Sequence, residues 1–169
     1  MSGGRISLKA RIEPHAPMTP SIRIQSAPFD PAREAALIED GRRDIGAVVT
    51  FTGLCRDEDG ALAALELEHY PGMAEAEIAR AAEEALSRWP LQALTIIHRH
   101  GRILPGERIV LVVAAARHRG EAFAAAEFLM DYLKTRAPFW KKEHRADGSV
   151  GDWVEAKAKD DAAAERWSK

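Results

Sequence analysis

Only one cysteine, Cys55, stands among the 169 residues. That excludes an internal disulfide and any metal site built from several cysteines, and it fits a reducing compartment, so cytoplasm is the expected location. No apolar run reaches the ~20 residues that a membrane span requires. The opening "MSGGRISLKARIEPHAPMTP" also lacks the apolar core of a secretory signal. Residues 1–20 are therefore read as a flexible leader and 21–169 as a single domain. An excess of positive charge is missing as well: 24 Lys and Arg face 26 Asp and Glu, and the formal net charge of -2 gives no general attraction to nucleic acid or an anionic membrane. Glycine-rich Walker or Rossmann spacing is absent, as is any internal repeat. An anion site, if the chain has one, must be local.

The charge that is present is unevenly placed. Between His98 and Arg145 there are ten Lys/Arg and five Asp/Glu, which leaves the remainder acidic. Within this segment "YLKTRAPFWKKEHR" gathers Lys134, Arg136, Lys141, Lys142 and Arg145 around Pro138, Phe139 and Trp140. A basic pocket for a small anion would look like this, and so would a scattered, solvated surface.

Patterning predicts the elements that frame the segment. Ser21 to Gln25 alternates as a strand, and Asp30-Pro31 is a helix start with an acidic cap and proline at the first helical position, leading to a helix ending near Glu39. Gly46 to Thr52 and Leu62 to Tyr70 are two extended runs separated by "RDEDG", read as a hairpin. In the second run Leu65, Leu67 and His69 alternate with Glu66, Glu68 and Tyr70, a strand with one wet face. From Met73 the apolar residues Ala74, Ile78, Ala82, Ala85 and Trp89 recur at helical spacing until Pro90 stops them. A strand near Leu94 to His98, a Pro105-Gly106 turn, a strongly apolar strand from Arg108 to Ala115 and a helix from about Gly120 to Arg136 follow. A last strand around Trp153 and Val154 and a helical turn in "DDAAAERW" complete the reading. Antiparallel neighbours with irregularly placed helices make an α+β domain a better fit than a doubly wound parallel sheet.

Several groups could do chemistry. Arg117, His118 and Arg119 sit where a strand runs into a helix, and unpaired N–H groups at a helix N-terminus favour a phosphate or carboxylate; solvated loop residues would give the same pattern. Lys134 near the helix end and Lys141 beyond it flank a turn forced by Pro138, which disfavours helical geometry at Ala137. Two ammonium groups close together beside Phe139 and Trp140 raise the cost of charging both, which suits a base or nucleophile. A helix C-terminus that favours cations, with Phe139-Trp140 as a core plug, accounts for the same residues. Arg56 follows Gly53, which permits close backbone approach; its guanidinium could enter a pocket or pair with Asp57 or Asp59. Cys55 has no local histidine to activate it. His98 and His100 alternate on one strand but lack a third ligand at informative spacing, so they are read as a structural pair, and His69 as a packing residue.

"GAVVTFTG" before Arg56, "LEHYPGM", "IHRHGRILPGE", "HRGEAF", "MDYLKTRAPFWKKE" and a late "WVEA" occur in an order that resembles the large, catalytic subunits of molybdopterin synthase, from about Pro28 to Trp167. The most specific element is "DYLKTRAPFWKKE". The resemblance implies an α/β hammerhead-type α+β fold with a mixed or antiparallel sheet and flanking helices, and a homodimer within a heterotetramer. Each large subunit would bind a small ubiquitin-like sulfur carrier whose C-terminal Gly-Gly thiocarboxylate threads into the pocket. The implied reaction is a sulfurtransferase step that converts cyclic pyranopterin monophosphate to the dithiolene of molybdopterin, in molybdenum cofactor biosynthesis. Carried over by position, Lys134 and Lys141 match the catalytic lysines. Arg56, His118 and Arg119 match substrate-binding positions, with Lys142 and Glu143 adjoining. No cofactor or bound metal is expected in this chain, since molybdenum belongs to a later step. The sequence departs from the family pattern at Leu54-Cys55, where a basic residue would be accepted. Two other classes remain open: a single-stranded nucleic-acid module using the basic-aromatic segment, disfavoured by the net charge, and a non-catalytic scaffold for the carrier, disfavoured by the presence of both lysines.

Overall fold

The structure is a computed structural model that describes residues 18–154 and 158–168. Most of the expected leader, residues 1–17, lies outside the described residues, as do Glu155 and Ala156 of the late "WVEA". In chain order the elements are β1 (Ser21–Gln25), α1 (Pro31–Glu39), β2 (Ala47–Leu54), β3 (Leu62–His69), α2 (Met73–Arg88), β4 (Leu91–Arg99), β5 (Gly101–Ile103), β6 (Arg108–Ala116), α3 (Arg119–Thr135), β7 (Phe139–Arg145) and α4 (Ala158–Glu165). They form an α+β domain with two sheets. A four-stranded sheet runs β1-β4-β6-β2, and a three-stranded sheet runs β5-β3-β7. β1 is parallel to β4, and every other pairing is antiparallel.

The apolar run in β6 explains where the core sits. Its residues Val110, Val112, Ala114 and Ala116 face a cluster with Ile78, Ala82 and Ala85 of α2 and Leu129 of α3. The intervening Leu111, Val113 and Ala115 face Phe29, Ile38 of α1 and Ile97. A strand covered on both faces needs no polar side. The starts of α1 and α2 are locally encoded: the Asp30 carboxylate accepts from Ala32 N at 3.0 Å, and Glu75 Oε2 accepts from Gly72 N at 2.7 Å.

The expected hairpin of β2 with β3 does not form. β2 instead pairs with β6, Ala47 opposite Ala116 and Thr52 opposite Leu111, while β3 joins β5 and β7 in the other sheet. The wet face of β3 gives the reason. Glu66 lies opposite Arg102 on one side and Lys142 on the other, and its Oε2 meets His144 Nε2 at 2.6 Å. That hydrogen bond holds the Glu66 carboxyl below its ordinary value. β2 has no such cations to offer, and its own partner is the apolar β6. The turn expected before Phe139 is present at Arg136 and Ala137, between Lys134 and Lys141; the strand β7 that follows has no counterpart in the sequence reading, and the extended geometry that proline imposes on Ala137 is a suitable start for it. Among the described residues Val154 and Val150 make isolated bridges, to Lys141 and His144, where a last strand was expected.

Candidate active site at the junction of the two sheets

β7 alternates, and the alternation sorts the cations. Phe139 and Lys141 line a cavity of about 290 Å³, together with Lys134 and Leu133 of α3, His98 of β4 and Leu67 of β3. Lys141 also borders an adjoining hollow of about 310 Å³ with Arg56, Glu143 and Arg145. Lys134 and Lys141 are therefore brought to one hollow, and Arg56 and Glu143 to its neighbour, with Lys141 common to both. Lys142 is placed differently. Its Nζ lies 4.1 Å from the centroid of the Trp153 ring, on the opposite face of the strand.

The floor of the hollow that Lys134 and Lys141 share is mostly apolar, and its two ammonium groups lack compensation: among the described residues neither Lys134 nor Lys141 has a carboxylate within ion-pair distance. Gly53 lies in the wall because a Cβ there would stand 2.6 Å from Val110 Cγ1. Arg56 pairs with Glu58 at 2.7 Å rather than with Asp57 or Asp59, and its side chain is 81% exposed. An ion pair that exposed contributes little, so the guanidinium is available to a stronger anion. Asp57 instead accepts from Leu62 N. Cys55 is buried, and burial, with Glu107 and Asp57 nearby, pushes its thiol up, away from a reactive thiolate.

His118 and Arg119 do not join this group within one chain. His118 caps the N-terminus of α3 and Arg119 is its first residue; both are exposed. Lys134 lies at the other end of the same helix, roughly 24 Å away at 1.5 Å per residue. Gly46 fixes the turn that carries the pair. Its N–H donates to Ala116 O at 3.0 Å, and a Cβ on it would meet the Arg117 carbonyl oxygen at 2.1 Å.

Sequence reasoning passed over the histidines as a group. The rings of His98 and Phe139 stack with centroids 3.7 Å apart, those of His69 and His100 lie 4.8 Å apart, and His69 lies 5.9 Å from Phe139. The period-two spacing of His98 and His100 on an otherwise apolar strand was the available signal. Burial pushes the His98 imidazole down to about 4, assisted by His69 and His100, and burial also lowers His100. Among the described residues no cluster of three or more His, Cys, Asp or Glu could hold a metal ion, and no helix is long and apolar enough to cross a membrane.

The buried ring gives a pH prediction whose sign follows from linkage. An unfolded chain protonates His98 near its ordinary 6.5, whereas the folded chain resists until about 4. Stability is then fully present above pH 6.5 and declines as pH falls through that window, by about 3 kcal/mol at pH 4. Urea unfolding from pH 7 to 4 should show this acid limb, and His98→Phe should flatten it. An unchanged limb in that variant would assign the acid sensitivity elsewhere.

An apolar hollow edged by two ammonium groups that lack carboxylate partners, at the seam of two sheets of an α+β domain, has the chemistry of a site for an anionic group. Comparison with known proteins makes the assignment narrower. A family model described as MoaE protein matches residues 24–136. A molybdopterin synthase catalytic subunit from Mesorhizobium japonicum is 70% identical over 152 residues, covering 90% of this chain and 96% of its own. The corresponding protein of Brucella melitensis is 64% identical over 155 residues, covering 92% and 94%. The solved structure of a molybdopterin biosynthesis MoaE protein from Burkholderia ambifaria matches with a TM-score of 0.77 at 50% identity, covering 89% of this chain and 99% of that one. The chain belongs to the MoaE family, whose relatives are molybdopterin synthase catalytic subunits.

Proposed function

We propose that this chain is the catalytic subunit of a molybdopterin synthase. It takes sulfur from the thiocarboxylated C-terminus of a small ubiquitin-like carrier and transfers it, in two rounds, to cyclic pyranopterin monophosphate to form the dithiolene. The observation that carries the reading is the pair of uncompensated ammonium groups, Lys134 and Lys141, on one largely apolar hollow. A thiocarboxylate and a phosphate are both anions, and cations placed beside an apolar floor stabilise negative charge that develops there. Lys134 and Lys141 hold that charge or exchange protons with the transfer intermediates. Arg56 and Glu143, in the adjoining hollow, contact the pterin. Lys142 adjoins from the other strand face, where its stack on Trp153 steadies β7.

A carrier partner is supported by the word subunit in the relatives' names and by apolar side chains exposed around the hollows: Leu54, Phe51 and Val154. His118 and Arg119 require a second copy of the chain, because one helix length separates them from Lys134. In a homodimer the exposed start of α3 from one protomer completes the hollow of its partner. The deciding experiment combines the purified chain with thiocarboxylated carrier and cyclic pyranopterin monophosphate and follows the dithiolene product. Product is expected only with all three components. Carrier binding without product would reduce the chain to a scaffold.

A further inference from the structure

Lys134 and Lys141 belong to different layers. Lys134 lies in the last turn of α3, which packs on β6 and β2 of the four-stranded sheet, whereas Lys141 rides on β7 of the three-stranded sheet. The distance between the two ammonium groups therefore depends on how the sheets are held together beside the cavity. Ring contacts span that seam: His98 of β4 on Phe139 of β7, and His69 of β3 against His100.

The first of these has the closest and flattest geometry, 3.7 Å between centroids and 16° between planes. Phe139 lies two residues before Lys141, so both side chains leave the same face of β7, and both line the cavity with His98. The His98 ring is also held from its own strand, its Nδ1 lying 2.8 Å from the Arg99 carbonyl oxygen. Because a carbonyl only accepts, Nδ1 carries the proton, and the ring is fixed in one orientation.

We propose that His98 is a positioning residue for the sulfur-transfer site: its ring, tied to Arg99 and stacked under Phe139, clasps the two sheets and sets the spacing of Lys141 from Lys134. A leucine there would fill the volume but could neither accept the flat face of Phe139 nor bond the strand carbonyl. The neutral ring suits the place, since an imidazolium would add a third cation to a cavity that already holds two. This inference rests on the reading of Lys134 and Lys141 as the reacting pair.

The test uses the full chain with thiocarboxylated carrier and cyclic pyranopterin monophosphate, comparing His98→Ala, His98→Leu and His98→Phe with Lys141→Ala as a control. A displaced lysine should lower kcat about 10-fold in His98→Ala and His98→Leu with KM for the pterin within about twofold, since misplacement harms the reacting geometry more than binding. His98→Phe, which keeps a flat ring against Phe139, should recover most of the rate. Independently of activity, trace acylation with acetic anhydride and peptide mass mapping should show the Lys141 to Lys142 labelling ratio altered in His98→Ala and His98→Leu and restored in His98→Phe. Wild-type kcat and labelling ratio in a folded His98→Leu would overturn the clasp, as would a His98→Phe no better than His98→Leu. Full activity in Lys141→Ala would overturn the lysine pair instead, and the labelling ratio would still decide whether His98 positions β7.

Discussion

Alanine at Lys134 is expected to lower the rate of dithiolene formation by about 10³-fold while leaving the fold intact. The two effects separate because they have different sizes. Lys134 is exposed in the last turn of α3, where losing a cation from the helix C-terminus costs about 0.5 kcal/mol of stability. A charge that the reaction develops inside an apolar hollow is worth about 4 kcal/mol when one of its fixed partners is removed. Single-turnover product formation from thiocarboxylated carrier gives the first quantity and thermal melting the second. A wild-type rate in Lys134→Ala would remove this residue from the chemistry. Lys134→Arg divides the remaining possibilities: arginine keeps the charge but cannot lose its proton, so a largely restored rate marks electrostatic stabilisation and a dead variant marks proton transfer.

The second large effect is a recovery of activity. His118→Ala/Arg119→Ala and Lys134→Ala should each be nearly inactive as homodimers. After subunit exchange, half of the dimers carry one copy of each, and each of these holds one hollow with all native groups and one that lacks both sets. About a quarter of the wild-type rate should therefore return, from two preparations that have almost none. The physical basis is the length of α3, which puts His118 and Lys134 at opposite ends of a rigid rod. If mixing restores nothing while each variant still dimerises by sedimentation, the helix start does not serve its partner's hollow, and His118 and Arg119 leave the site.

Much of the local structure was readable from the chain. The Asp30-Pro31 start of α1, the helical spacing that ends at Pro90, the apolar strand β6 and the helix α3 all appear as expected, because caps and hydrophobic period act over a few residues and are written in consecutive letters. β7 was not readable in the same way. "FWKKEHR" has no alternation of apolar with polar residues, since one of its faces carries Phe139, Lys141 and Glu143 and the other Trp140, Lys142 and His144. Its strand character comes from β3, whose glutamates receive its cations. The false hairpin has a related origin. "RDEDG" is a turn in both readings, but whether the flanking strands pair is decided by what else each can pair with, and β6 lies more than fifty residues beyond β2.

The sequence alone determined the α+β class, the residue types of the site and the family resemblance. Those are properties of composition, period and local order, which survive without coordinates. The tertiary structure decided which cations meet. It put Lys134 and Lys141 on one hollow, turned Lys142 to the far face of β7, separated His118 and Arg119 from Lys134 by a helix length, and placed His98 under Phe139. Such choices depend on strand register and on how two sheets pack, and these are fixed by contacts between residues far apart in the chain.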